Sequence, residues 1–165
     1  MEKIVLIGAG GHAKTIVDTI ERLDQYEIAG FIDRLNSCEE IYKGYRVIGH
    51  DEDMEKIFDS GIHSAFIAVG YMGKTEVRKK LYSKLKAVGF SLPVIIDPTA
   101  IVAKDVLIEE GTYIGRNAVV NAEAKIGKNC IINTAVVVEH ECTVGDFSHL
   151  HNLRHSRMGQ FYILQ

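Results

Sequence analysis

Glu139-His140-Glu141 places an imidazole between two carboxylates. A histidine oriented and charge-stabilised by a carboxylate is the usual general base near neutral pH, so this triplet offers proton removal from a nucleophile. The competing reading is a solvated histidine on a loop-like surface. His149 follows nine residues later and is the last residue of a regular repeat, which strengthens the bland reading there. Asn133 lies seven residues before His140, where its amide either suits a structural turn or hydrogen-bonds an acceptor amine or hydroxyl. A different chemistry is offered near the amino terminus by Gly8-Ala9-Gly10-Gly11-His12-Ala13-Lys14. Glycines admit close approach of a phosphate to backbone, and the start of a following helix supplies free N–H groups and the positive end of a dipole.

The glycine turn carries two readings. Gly8 and Gly10 fit the first and third places of the dinucleotide fingerprint, and Ala13 is tolerated at the sixth, so the pattern alone admits NAD. A tight strand-to-helix turn without a ligand is the second reading. His12, at a helix start among glycines, suits contact with a ligand better than core packing. Asp33 either holds a ribose hydroxyl or caps a loop, and nothing local decides between them. Cys38, Cys130 and Cys142 are an odd number without metal-ligand spacing, and His50, His63, His151 and His155 also lack it. No nucleophile elbow, P-loop or zinc motif is present, so the implied chemistry is direct transfer to an acceptor deprotonated by His140.

The elements that position these residues fall into two classes. From Ile96 to His149 nine six-residue blocks run unbroken, each opening on Ile or Val. The fifth places hold Ala100, Val106, Thr112, Ala118, Ala124, Cys130, Val136, Cys142 and Ser148, all small or β-branched. A period of six fits neither a helix nor a flat sheet, but it fits a parallel β-helix in which an inward aliphatic fills a prism and a small residue sits at each corner. Three blocks make one coil, so nine predict three coils. On that geometry His140 and His149 lie half a coil apart, around a corner, and can share a pocket only if neighbouring subunits each supply one. An open coil end also exposes apolar surface and strand edges, so a homotrimer is expected. Hexad prisms with a histidine base chiefly serve acyl transfer, a link at the level of fold analogy.

The first half alternates strand and helix. Residues 3–7 read as a buried strand, and a helix follows with Ala13, Ile16, Val17, Ile20 and Leu23 on one face. Glu27 to Ile32 is a second strand ending in Asp33, Asp51 to Phe58 a short helix, and Ser64 to Val69 a third strand reaching Gly70. Lys74 to Val88 reads as a helix with Val77, Leu81, Leu85 and Val88 inward, stopped by Gly89. The pattern predicts a small Rossmann-like parallel sheet, with the glycine turn, Asp33 and Gly70 at the carboxyl ends of strands, where such sheets bind ligands. The chain therefore divides into 1–92 as a nucleotide-binding α/β domain, 93–149 as the hexapeptide-repeat β-solenoid, and 150–165 as an atypical tail. In that tail Arg154 falls where a small corner residue belongs and Ser156 where an aliphatic is expected. Either a natural cap or a shifted or truncated reading frame accounts for it.

The bulk numbers narrow the class. With 165 residues, 47% hydrophobic and 25% charged, the chain has ordinary globular composition. A net charge of −3 invites neither nucleic acid nor an acidic membrane surface. No long apolar span or leader is visible, so a cytoplasmic protein without membrane insertion is expected.

Taken together over residues 2–149, these segments resemble bacterial sugar acyltransferases of the sialic acid O-acetyltransferase type, including the UDP-4-amino-sugar N-acetyltransferases of bacillosamine synthesis. The resemblance rests on the opening strand with its glycine turn, Phe31-Ile32-Asp33, Ala68-Val69-Gly70, and Glu139-His140-Glu141 followed by Gly145-Asp146-Phe147-Ser148-His149. It implies a left-handed β-helix and an acetyl transfer from acetyl-CoA to an amino or hydroxyl group of a nucleotide-linked or free sugar, without a metal. It further implies His140 as proton acceptor, Glu141 as the residue that raises its basicity, and His149 at the acetyl group of acetyl-CoA. Asn133 would lie near the acceptor nitrogen, with Gly10, Gly11, His12 and Gly70 on the UDP-sugar. Family members continue for several more coils that hold much of the coenzyme A site, and residues 150–165 do not match them. The rival expectation is thus a nucleotide-sugar-binding or assembly module without catalysis; an NAD oxidoreductase is more remote, since no hydride-transfer acid is visible.

Overall fold

A computed structural model describes residues 1–34, 40–70 and 75–151, together with the backbone of 155–156 and 161–162. It divides into two compact units, Met1–Pro93 and Val94–Gln165. Cys38 and the helix start expected at Lys74 lie outside the described residues.

The first unit is built around β1 (Glu2–Ile7), α1 (Gly11–Leu23) and β2 (Tyr26–Ile32). Next come β3 (Glu40–Tyr42), β4 (Tyr45–Gly49), a 3-10 turn (Asp51–Asp53), α2 (Met54–Asp59), β5 (Ser64–Ile67) and α3 (Glu76–Val88). The sheet order is β3-β4-β2-β1-β5, parallel except for the β3–β4 hairpin. Ile4, Val5, Leu6 and Ile7 are buried in succession, as a strand covered on both faces requires. Ala13, Ile16, Val17 and Ile20 form the buried stripe of α1. The Rossmann-like expectation is met, with one addition, the hairpin of β3 and β4. On α3 the expected Leu81, Leu85 and Val88 pack on the core, and Val77 does not. Val77 is 49% exposed, whereas Arg78 is 2% exposed and sits inward with Leu85. Apolar spacing nominated the valine; hydrogen bonds to strand carbonyls admit the arginine.

The second unit is a succession of two-residue strands: β6 (Ile95–Ile96), β7 (Ile101–Val102), β8 (Leu107–Ile108), β9 (Tyr113–Ile114), β10 (Val119–Val120) and β11 (Lys125–Ile126). It continues with β12 (Ile131–Ile132), β13 (Val137–Val138), β14 (Thr143–Val144), β15 (His149–Leu150), β16 (His155–Ser156) and β17 (Phe161–Tyr162). They stack into three parallel sheets, β6-β9-β12-β15, β7-β10-β13-β16 and β8-β11-β14-β17, the faces of a short left-handed β-helix. Partners are 18 residues apart, so Ile114 lies on Ile96, Ile132 on Ile114 and Leu150 on Ile132. These ladders form one core with Val120, Ile126, Val138 and Val144, and Ala118, Ala124, Cys130 and Cys142 fill its corners.

Two features of the coils lie beyond the hexad pattern. The fourth place of each block from Gly111 onward has positive φ, at Gly111, Asn117, Glu123, Asn129, Ala135, Glu141 and Phe147. Four of these corner amides donate one coil back, Asn129 to Glu110, Ala135 to Arg116, Glu141 to Ala122 and Phe147 to Lys128, each at 2.7–2.9 Å. The left-handed backbone costs a non-glycine residue roughly 1–2 kcal/mol, offset here by the satisfied amide. The strand spacing also persists where the residue pattern lapses. Leu150 is buried in the inward ladder, and β16 and β17 pair in register with β13 and β14. Ladder bonds are made by backbone and do not read side-chain type. The intervening 152–154 and 157–160 lie outside the described residues.

Candidate functional sites in the two units

Within the first unit the glycine turn, Asp33 and Gly70 come together at the carboxyl ends of β1, β2 and β5. They line a cavity of about 440 Å³ with Ala9, His12 and Val69. Gly8 has φ +96° and a Cβ there would lie 2.5 Å from Val69 Cγ2, so this glycine is a requirement of the fold. Gly10 and Gly11 are different: neither has positive φ, and a Cβ on either would meet nothing within 4 Å. Gly10 caps α1 without a side-chain hydrogen bond, and the first turn of that helix carries no acid. Its positive end is uncompensated from within the helix. A Cβ on Gly70 would approach His12 Cβ to 3.3 Å, so the missing side chain is what admits the imidazole.

Asp33 accepts a hydrogen bond from the Ala9 N–H at 2.7 Å. The loop-capping alternative therefore describes one of its oxygens. The residue also lines a neighbouring, mostly apolar cavity of about 410 Å³ shared with Ile7, Ile32, Val69, Val77 and Leu81, rimmed by Arg34 and Asp51. Gly8, Asp33 and Val69 are common to both cavities, which are thus two compartments of one cleft. Val77, exposed on α3, has its place here as a wall.

In the second unit His140 stands at the corner between β13 and β14. Its Nδ1 lies 3.2 Å from Glu141 Oε2, with both side chains more than half exposed. Glu139 is held elsewhere: Asn121 Nδ2, one coil back, donates to Glu139 Oε2 at 3.1 Å. The geometry thus separates two carboxylates that sequence leaves equivalent. Glu141 has left-handed backbone, but so do Glu123, Ala135 and Phe147, so that conformation belongs to the corner and is no mark of function. In the tautomer protonated at Nδ1 this contact is a hydrogen bond, and Nε2 is then the nitrogen open to accept a proton.

Asn133 lies one corner earlier, between β12 and β13, and its Oδ1 accepts from Thr134 N–H at 3.0 Å. His149 opens β15 beside Ile131, is 8% exposed, and stacks on His151 with ring centroids 3.9 Å apart. His140 therefore stands at a different corner from Asn133, whereas Asn133 and His149 adjoin the stacked β12–β15 pair, where the Asn133 N–H donates to the Leu150 carbonyl at 3.0 Å. Cys130 and Cys142 are buried, with Cys130 Sγ 3.1 Å from the Gly145 carbonyl. Among the described residues no three His, Cys, Asp or Glu side chains are placed to hold a metal ion. No helix among them is long and apolar enough to cross a membrane.

Comparison with known proteins places this geometry. Residues 3–85 match the family model described as the PglD N-terminal domain. A variant of perosamine N-acetyltransferase from Caulobacter crescentus, solved with CoA and GDP-perosamine, is 31% identical. The match covers 90% of this chain and 68% of that one, with a TM-score of 0.82. The acetyltransferase domain of PglB from Neisseria gonorrhoeae, solved in complex with acetyl coenzyme A, is 32% identical over 90% of this chain and 69% of that one, with a TM-score of 0.80. WeeI from Acinetobacter baumannii shares the fold at 24% identity and a TM-score of 0.75, over 90% and 69% of the two chains.

Proposed function

This chain belongs to the bacterial sugar acetyltransferases that carry a PglD N-terminal domain, and from that premise we propose that it moves an acetyl group from acetyl-CoA to the amino group of a nucleotide-linked sugar. The observation that carries the proposal is the His140–Glu141 contact at 3.2 Å, on a corner fixed by a backbone bond to Ala122. His140 Nε2 takes a proton from the sugar amine as the nitrogen attacks the thioester carbonyl. The C–N bond forms, the C–S bond breaks, and the imidazolium returns its proton to the coenzyme A thiolate. Glu141 stabilises the imidazolium while it exists.

The two-compartment cleft suits the diphosphate and base of the nucleotide. Gly10 and Gly11 are unconstrained by packing, so close approach of phosphate oxygens to their N–H groups is the reason left for them. His12 and Gly70 flank that approach, and the apolar compartment beyond Asp33 accepts a planar base. Asn133 and His149 serve the acceptor nitrogen and the acetyl group respectively. Since His140 and His149 stand around a corner from each other on one coil, a homotrimer is part of the reading, with His149 supplied across an interface between subunits.

The test is release of free coenzyme A thiol from acetyl-CoA across a panel of UDP- and GDP-linked amino sugars, with sialic acid as the hydroxyl control. Turnover with an amino sugar is the expected result. Binding of nucleotide-sugar without binding of acetyl-CoA would overturn it in favour of a non-catalytic binding module.

A further inference from the structure

The apolar compartment of the cleft has two charged side chains on its rim, Arg34 and Asp51. Among the described residues neither side chain has a hydrogen-bond or ion-pair partner, and they do not pair with each other. The turn that presents Asp51 is secured by other groups. Asp53 Oδ2 accepts from the His50 N–H at 2.8 Å, and the Asp51 carbonyl accepts from Lys84 Nζ on α3. The Asp51 carboxylate takes no part in either bond, so the fold holds it in place without using it.

A carboxylate beside a cleft for a diphosphate opposes binding unless the ligand brings donors to it. On a nucleoside diphosphate only the ribose hydroxyls and the base carry donors. Asp33 borders both compartments and so lies toward the ribose, whereas Asp51 borders the apolar compartment alone and falls to the base. An ionised carboxylate offers two acceptor oxygens and no donor. Guanine alone among the common bases sets two donors side by side on its pairing edge, N1–H and the N2 amino group. Uracil places its single N3–H between two carbonyl oxygens, which a carboxylate repels. The guanidinium of Arg34 supplies paired donors that match guanine O6 and N7. We propose that Arg34 and Asp51 read the nucleotide base and select guanine over uracil, which makes the acceptor a GDP-linked amino sugar. This rests on the reading of the cleft as the nucleotide-sugar site.

The experiment is calorimetric titration of the full chain with GDP, IDP and UDP, for wild type, Asp51→Asn and Arg34→Met. IDP keeps N1–H, O6 and N7 and lacks only the N2 amino group. Wild type should bind GDP roughly tenfold or more tightly than either IDP or UDP. Asp51→Asn should bring GDP and IDP to within about threefold of each other while UDP affinity is retained, whereas a folding defect lowers all three together. Arg34→Met should weaken GDP and IDP by similar factors, because both present O6 and N7. Wild type that binds UDP or IDP as tightly as GDP overturns the proposal, and so does Asp51→Asn that keeps the full preference for GDP over IDP. If Asp51→Asn does not fold, the wild-type ranking of the three nucleotides decides. Wild type that binds none of them overturns instead the nucleotide-sugar reading of the cleft, and this inference with it.

Discussion

His140 and its neighbours show how far single residues can be read. The sequence marks a histidine between two glutamates but does not say which one serves it. The discriminating residue, Asn121, lies one coil back and holds Glu139 at 3.1 Å. Expected outcomes follow from that asymmetry. His140→Ala should lower turnover by about 10²–10⁴-fold, the range for loss of a general base, in the thiol-release assay; a loss below tenfold counts against the role. Glu141→Gln should reduce kcat by at least about tenfold with KM little changed, and Glu139→Gln by less than about threefold. Equal effects would mean that the corner does not keep the two carboxylates apart. Asp33 was equally unreadable beforehand, because its hydrogen bond goes to Ala9, 24 residues away.

Elements divide by how their signal is written. The inward ladders were legible because they need an aliphatic every 18 residues, and side-chain volume is visible in sequence. The corner conformation was not, since Glu, Ala and Phe occupy left-handed positions that normally advertise themselves with Gly or Asn. On α3, counting apolar residues placed Val77 inward and passed over Arg78, whose burial depends on carbonyls of another strand. The β3–β4 hairpin is short and only partly buried, so it left no apolar run to detect. In the glycine turn the structure distinguishes residues that look alike. Gly8→Ala should cost roughly 2 kcal/mol or more, from its positive φ and the approach to Val69, and lower the denaturation midpoint accordingly. Gly10→Ala should shift stability by less than about 1 kcal/mol yet weaken nucleotide-sugar binding, read by the same titration. A larger stability loss for Gly10→Ala than for Gly8→Ala would refute this division of labour.

At the scale of the whole molecule, His140 and His149 lie half a coil apart on one prism, so the proposed shared site calls for assembly. Light scattering should return three times the 18.4 kDa chain mass. A mixture of His140→Ala and His149→Ala chains, dissociated and reassembled together, should regain activity that neither variant has alone; no recovery would place the site within one chain. The corner bonds add a temporal consequence. Because the amides of Asn129, Ala135, Glu141 and Phe147 are each tied to the preceding coil, breaking one bond loosens two coils at once. These four amides should therefore exchange hydrogen slowly and together, and widely separate rates would overturn the coupling. Glu141 is one of them, so whatever loosens the prism also unseats the carboxylate beside the proton-transfer histidine.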